Sequence, residues 1–267
     1  MRGCLIVDTK TVVFVFLLFL FGCNNDKKTA LAYLRQAQDL YEQAQYGSAK
    51  QLLDSLKVEF PKEVSVRKKA LFLMRNIELK EQERNLLYCD SLLPVRQAEA
   101  DSLKRLFVFI QDPGFYSINP NAKFIRTSTN EWGEMALTDV YSGTTPLKHN
   151  RLKVTNPAGE YQETEAISFD GGTNYTFRDV SGTIYEIVTY QKGRDNGTIL
   201  FIYHSAGQKL KMEYLGGKKY PPVVIPDKEK QDLVSTVDLA AVLHDIDQLK
   251  KEKEKAGKRI EYLKKKS

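Results

Sequence analysis

The sequence predicts an α+β protein in which an antiparallel β segment is inserted between helical segments. Three observations carry that reading. Residues 29–107 are rich in Ala, Leu, Gln, Lys and Glu, nearly lack Gly, and repeat apolar residues at spacings of three and four, as an amphipathic helix does. Residues 108–225 gain Gly, Asn, Thr and Tyr, and short apolar or alternating runs there are separated by turn signals at the spacing of an all-β domain. Residues 227–267 return to a helical pattern that can be written in heptads.

The chain has 267 residues, 42% hydrophobic and 28% charged, which excludes a disordered or collagen-like protein. Three Cys, at 4, 23 and 89, are too few for a disulfide scaffold or a four-Cys zinc module. His149, His204 and His244 offer little for metal chemistry, so neither a metal nor another cofactor is expected.

Residues 1–22 read as an export signal. Arg2 and Lys10 precede the apolar run TVVFVFLLFLF at 11–21, far short of the roughly 20 residues of a spanning helix. The tetrapeptide Leu20-Phe21-Gly22-Cys23 resembles the lipobox of bacterial lipoproteins, with Phe21 departing from the usual small residue. That resemblance implies cleavage between Gly22 and Cys23 and a diacylglycerol and acyl chain on Cys23, enough lipid for stable anchoring. Asn24, in place of the Asp that retains lipoproteins at the inner membrane in enteric bacteria, favours the outer membrane, with the leaflet left open. Residues 23–28 are expected to be the lipidated Cys and a short linker. Cys89 is then either a buried small hydrophobe or an intermolecular bridge.

In the helical segment 29–107, Tyr33, Ala37, Leu40, Tyr46, Ala49, Leu53, Leu56 and Pro61 fall on the large and small positions of a 34-residue helix-turn-helix unit, and the segment resembles one tetratricopeptide repeat. Ala44 stands where that family usually has a turn Gly, and Leu40 where it usually has an aromatic. One repeat buries too little surface to stand alone, so the hairpin must pack on something else. Residues 64–107 read as one long helix, or two in line, with Leu79, Leu86, Leu93, Ala100 and Phe107 spaced by seven. Pro94 is expected to kink or interrupt it, with Asp90 or Ser91 capping a restart.

Candidate strands in the β domain 108–225 span 107–111, 122–128, 133–141, 151–155, 163–169, 173–178, 183–191, 197–204 and 209–215, joined as a meander into a sandwich or a barrel. Asp195-Asn196-Gly197 predicts a tight hairpin, and the run 199–203, apolar on both faces, predicts a central strand. In 209–215, Leu210, Met212 and Tyr214 alternate with charged residues, which makes one face wet. No catalytic residues are expected: His149 and His204 lack a neighbouring Asp-x-His or Ser motif, and Asp170-Gly171-Gly172 reads as a turn. Asn174 and Asn196 read as exposed turns. Trp132, Tyr141, Tyr185 and Tyr203 form the candidate binding face, against the alternative that such aromatics pack at the core edge.

The C-terminal helix 227–267 places Leu239, Ile246, Lys253 and Ile260 at one seam position and Val242, Leu249, Ala256 and Leu263 at the other. It is expected to pack on the earlier long helix, the rival being a homo-oligomeric coiled coil. Residues 248–267 hold eight Lys and one Arg against three Glu, so the basic character belongs to this tail. For an exported protein that pattern leaves anionic lipid headgroups, lipopolysaccharide phosphates or an acidic protein rather than nucleic acid, against the favoured alternative of a solvated helix face with a frayed Lys-rich end.

Lipobox and architecture together resemble lipoproteins of Gram-negative, Bacteroidetes-like bacteria, a likeness that supplies no activity. The expected function is a lipid-anchored, non-enzymatic scaffold or adaptor for another envelope protein. A carrier of a small glycan or lipid ligand in the β domain is the alternative, and an envelope hydrolase the third.

Overall fold

The computed structural model describes residues 22–111 and 114–266. The apolar run 11–21, expected as part of an export signal, lies outside the described residues. The chain is a mixed α+β fold in two compact units, one running to Cys89 and including Glu252 onward, the other running from Asp90 to Lys251. Among the described residues no helix is long and apolar enough to cross a membrane.

The first unit contains α1 (Gly22–Glu42), α2 (Tyr46–Glu59), the beginning of α3 (Val64–Lys104) and the end of α5 (Asp227–Lys265). Residues 23–28, expected as a linker, are already helical. Ala30, Ala37 and Ala49 are fully buried and bring the backbones of α1 and α2 close, while Leu53, Leu56, Leu73 and Ile77 fill the rest of this core. Tyr33 packs edge-on against Phe60 at 5.5 Å. Helix α1 ends in a Schellman motif: Gln45 N–H donates to the Leu40 carbonyl and Ala44 N–H to that of Tyr41, with Ala44 at φ 58° in the left-handed region. Arg259 of α5 pairs with Glu78 of α3, and Arg75 donates to the Lys266 carbonyl, so the two helices run antiparallel here.

Helix α3 continues unbroken through Pro94, and Asp90 and Ser91 lie inside it rather than capping a new helix. A proline costs a helix one hydrogen bond, yet tertiary packing holds this stretch. Leu93, Ala100, Leu103 and Phe107 cluster with Leu239, Val242, Leu243 and Ile246 of α5, and Arg96 reaches Asp245 at 3.4 Å.

The second unit adds two antiparallel sheets, neither closed into a barrel. The strands are β1 (Val108–Ile110), β2 (Phe115–Ser117), β3 (Ile125–Thr129), β4 (Met135–Gly143), β5 (Arg151–Thr155), β6 (Tyr161–Glu163), β7 (Asn174–Arg178), β8 (Ile184–Gln191), β9 (Lys211–Leu215) and β10 (Val223–Val224). One sheet has the order β1-β2-β3-β4-β8-β7 and the other β10-β9-β5-β6, so the expected meander is replaced by crossovers: β5 and β6 leave after β4, and β8 returns to pair with it. Leu137, Val188 and Tyr190 of the first sheet share one buried cluster with Leu152, Val154, Met212 and Tyr214 of the second.

Two strand assignments are corrected. Residues 198–204 form the short helix α4, not a central strand, and Asp195-Asn196-Gly197 is its entry, not a hairpin. An apolar run of this length does not distinguish strand from helix by periodicity. Asn196 and Gly197 both take positive φ, Asp195 accepts the Ile199 N–H, and Ile199 and Ile202 turn inward together. Around 163–169, pairing ends at Glu163, and Thr164 and Ile167 bond singly to the Leu152 and Asn150 carbonyls.

Hairpins β3–β4 and β5–β6 turn through the same hexapeptide, Thr-Asn-x-x-Gly-Glu, at 129–134 and 155–160. In each, the Asn side-chain oxygen accepts two backbone N–H groups and its amide donates to the Glu carboxylate. A left-handed glycine closes each turn, Gly133 at φ 80° and Gly159 at φ 87°.

Candidate functional site

Three places in the described structure concentrate chemistry. The first is a buried ion network between the sheets. Odd positions of β4 face the second sheet, which turns Asp139 inward, and β8 turns Glu186 inward in the same way. The β4–β5 connection delivers His149 between them. Its Nε2 lies 2.6 Å from Asp139 Oδ1 and its Nδ1 lies 2.8 Å from Glu186 Oε2. Tyr190 donates to the second Asp139 oxygen at 2.8 Å, and the Lys148 N–H donates to both Glu186 oxygens.

Burial by itself pulls the His149 pKa down, but the Asp139 and Glu186 carboxylates outweigh it and hold it up at about 9. Burial opposes ionisation of Glu186, and its bonds to His149 and to the Lys148 N–H still leave its pKa low. The imidazolium therefore sits between carboxylates with both ring nitrogens engaged and no side-chain surface exposed. An Asp-His pair of this kind can act as a base only if a substrate reaches a free nitrogen; here both nitrogens are spent, and the arrangement is a structural lock.

The second place is the outward face of the six-stranded sheet, where a cavity of about 330 Å³ opens over β3, β4, β8 and β7. Arg126 is its charged group, and Ser128, Thr138, Thr189 and Gln191 supply polar side chains. The third lies in the helical unit, a groove of about 460 Å³ between α2 and the start of α3. Leu53, Leu56, Ala70 and Met74 form its floor, and Lys57, Arg67 and Lys68 stand on its rim with Asp54.

The four aromatics of the expected binding face do not come together. Trp132 is 51% exposed at the tip of the β3–β4 turn. Tyr141 is buried in the core, edge-on to Tyr214 and Tyr220. Tyr185 lies on the opposite, outward face of the sheet, stacked on Phe177, and Tyr203 is on α4, reaching Asp238. The parity of the β4–β8 register separates Tyr141 from Tyr185, since Tyr141 is opposite Glu186 and Tyr185 opposite Ser142.

Gly22 and Cys23 are the first two residues of α1. Cys89 is buried, as a small hydrophobe would be. Asn174, expected in an exposed turn, is instead a buried residue of β7 whose amide donates to the Ile167 carbonyl.

No family model, no curated protein and no solved structure matches this chain. Function therefore rests on geometry. Spacing along the chain hid the His149 network, because Glu186 lies 37 residues away and only strand pairing brings it back. The repeated Thr-Asn-x-x-Gly-Glu was a legible signal for two hairpins, and it marks the strands that carry Arg126 and Asp139.

Proposed function

We propose that this chain is a lipid-anchored cell-envelope protein, held by Cys23 at the outer membrane, that serves as a non-enzymatic adaptor for another envelope protein. The observation that carries the reading is the groove between α2 and α3. Val64 and Leu71 on its wall are each more than half exposed, an apolar surface for which the described chain supplies no cover. Helices α1 and α2 have the small-residue approach of a tetratricopeptide-like hairpin, and such hairpins bury their next face by stacking another helix. Lys57, Arg67 and Lys68 against a single Asp54 give the rim a positive balance, so the partner offers an amphipathic helix flanked by Asp and Glu. The Lys-rich end of α5 adds a surface for anionic lipid headgroups or for a second copy of the chain.

The test is crosslinking in intact cells with the anchor retained, comparing wild type, Leu71→Glu and Cys23→Ala. A partner captured by wild type and lost from both variants, with the Leu71→Glu melt unchanged, supports adaptor and anchor together. Equal capture by Leu71→Glu removes the groove from the reading. Palmitate labelling that survives Cys23→Ala removes the anchor.

A further inference from the structure

We infer that the outward face of the six-stranded sheet is a binding site for a carboxylate-bearing sugar, with Arg126 as the carboxylate receptor. The register places its residues in two rows. Arg126 on β3 pairs with Thr138 on β4, which pairs with Thr189 on β8; Ser128, Ala136 and Gln191 form the next row on the same face. A guanidinium, three hydroxyls and an amide thus converge on one cavity, with Ala136 as the small floor between them.

Arg126 carries a charge that no direct ion pair among the described residues meets. Its Nε–H donates to the Ala122 carbonyl at 3.0 Å, which fixes the side chain and, among the described residues, leaves both terminal nitrogens for a ligand. Burial lowers its pKa, and Tyr175 and Glu229 oppose that without outweighing it. No carboxylate among the described residues forms an ion pair with it. Glu229 spends its oxygens on the Lys123, Phe124 and Ile125 N–H groups, and Asp170 on those of Gly172 and Asn174. A half-buried cation without a direct ion-pair partner is costly, and a planar guanidinium whose two ends have no partner among the described residues matches a carboxylate in a bidentate pair.

The walls identify what bears that carboxylate. The Thr138 and Thr189 hydroxyls bond to each other at 3.0 Å, giving a preformed polar floor that ligand hydroxyls can join. Tyr175 lines the cavity and begins a ladder of rings, with Phe177 at 6.2 Å and Tyr185 a further 5.0 Å on, all on the outward face. Flat aromatic faces suit the apolar face of a sugar ring. The cavity sits at the small end of ligand sites, enough for one ring, and the ladder continues past it, so the end residue of an acidic polysaccharide fits as well as a free sugar acid.

The experiment is calorimetric titration of the full chain with galacturonate, trigalacturonate and galactose. Galacturonate is expected to bind at least about tenfold more tightly than galactose, and Arg126→Met to lose about that factor, the size of a bidentate charged pair at a half-exposed site. Thr138→Val is expected to weaken galacturonate binding too, which covers the case in which Arg126→Met fails to fold. If trigalacturonate exceeds the monomer and Phe177→Ala removes only that gain, the ligand is a polysaccharide end; if the two bind equally, it is a free sugar acid. Absence of heat from either acid at about 10 mM, where even a weak site would fill, or galactose binding as tightly as galacturonate, overturns the inference.

Discussion

His149 Nε2 and Asp139 Oδ1 lie 2.6 Å apart with no exposed surface on either side chain. The folded pKa of His149, about 9, exceeds the 6.5 of a free imidazole, so protonation stabilises the fold. That contribution is fully present below about pH 6.5 and is lost as pH rises through about 9, with an upper size of about 3 kcal/mol. Thermal melts from pH 6 to 10 should show the wild type losing stability across that window. His149→Gln should start lower by about 3 kcal/mol or more, because two buried carboxylates lose their cation, and should show a flatter slope. Parallel slopes for the two proteins would exclude the buried imidazolium.

Gly133 and Gly159 close the same turn, but only Gly133 touches another element. A Cβ on Gly133 would lie 2.3 Å from the Ala240 carbonyl oxygen and 2.7 Å from the His244 nitrogen, whereas one on Gly159 meets nothing within 4 Å. Both alanine variants carry the left-handed cost of about 1–2 kcal/mol. Gly133→Ala should lose about 1–3 kcal/mol beyond that, since helix backbone must move. Denaturant unfolding of the pair measures the docking of this turn on α5 by difference, and equal losses would mean that the turn is not seated there.

Ala44 occupies the Schellman position that glycine usually takes, at φ 58°. Ala44→Gly should therefore stabilise the helical unit by about 0.5–1 kcal/mol, the relief of left-handed strain less the added chain entropy. A lower melting temperature for this variant would show that the strain is absent.

Glu229, in the first turn of α5, accepts the N–H groups of Lys123, Phe124 and Ile125 with one buried carboxylate. Glu229→Ala leaves these donors at the entrance to β3 without an acceptor and should cost about 2–4 kcal/mol. Hydrogen exchange should speed first at Phe124 and Ile125; unchanged protection there would contradict the capping role.

What could be read along the chain was whatever depends on neighbours in sequence. Arg151–Thr155 alternates cleanly and forms the strand expected of it, and Ala37 and Ala49 are small because two helices meet there. The apolar run 199–203 misled because every side chain in it is apolar, Leu200 included although it is 51% exposed, so the sequence shows no period, and the choice of helix was made by two left-handed residues before it. The candidate sites were harder still. Arg126 becomes a receptor only through its register with Thr138 and Thr189, and β8 reaches that register by a crossover of about forty residues. Lys57 and Arg67 likewise become a rim only once α2 and α3 lie side by side.

The division of the chain also sets an order in time. Asp90–Lys251 is one uninterrupted stretch that can collapse as soon as it is available, whereas the helical unit draws on both ends. Arg259 reaches Glu78 across 181 residues and Arg75 reaches Lys266 across 191. Such long closures come late, because the intervening chain must first be compacted. The core of α1, α2 and early α3 draws on residues between Ala30 and Ile77 alone and can form at once, whereas the clasp of α3 by Arg259 and Lys266 must wait until Glu252–Lys266 has been made.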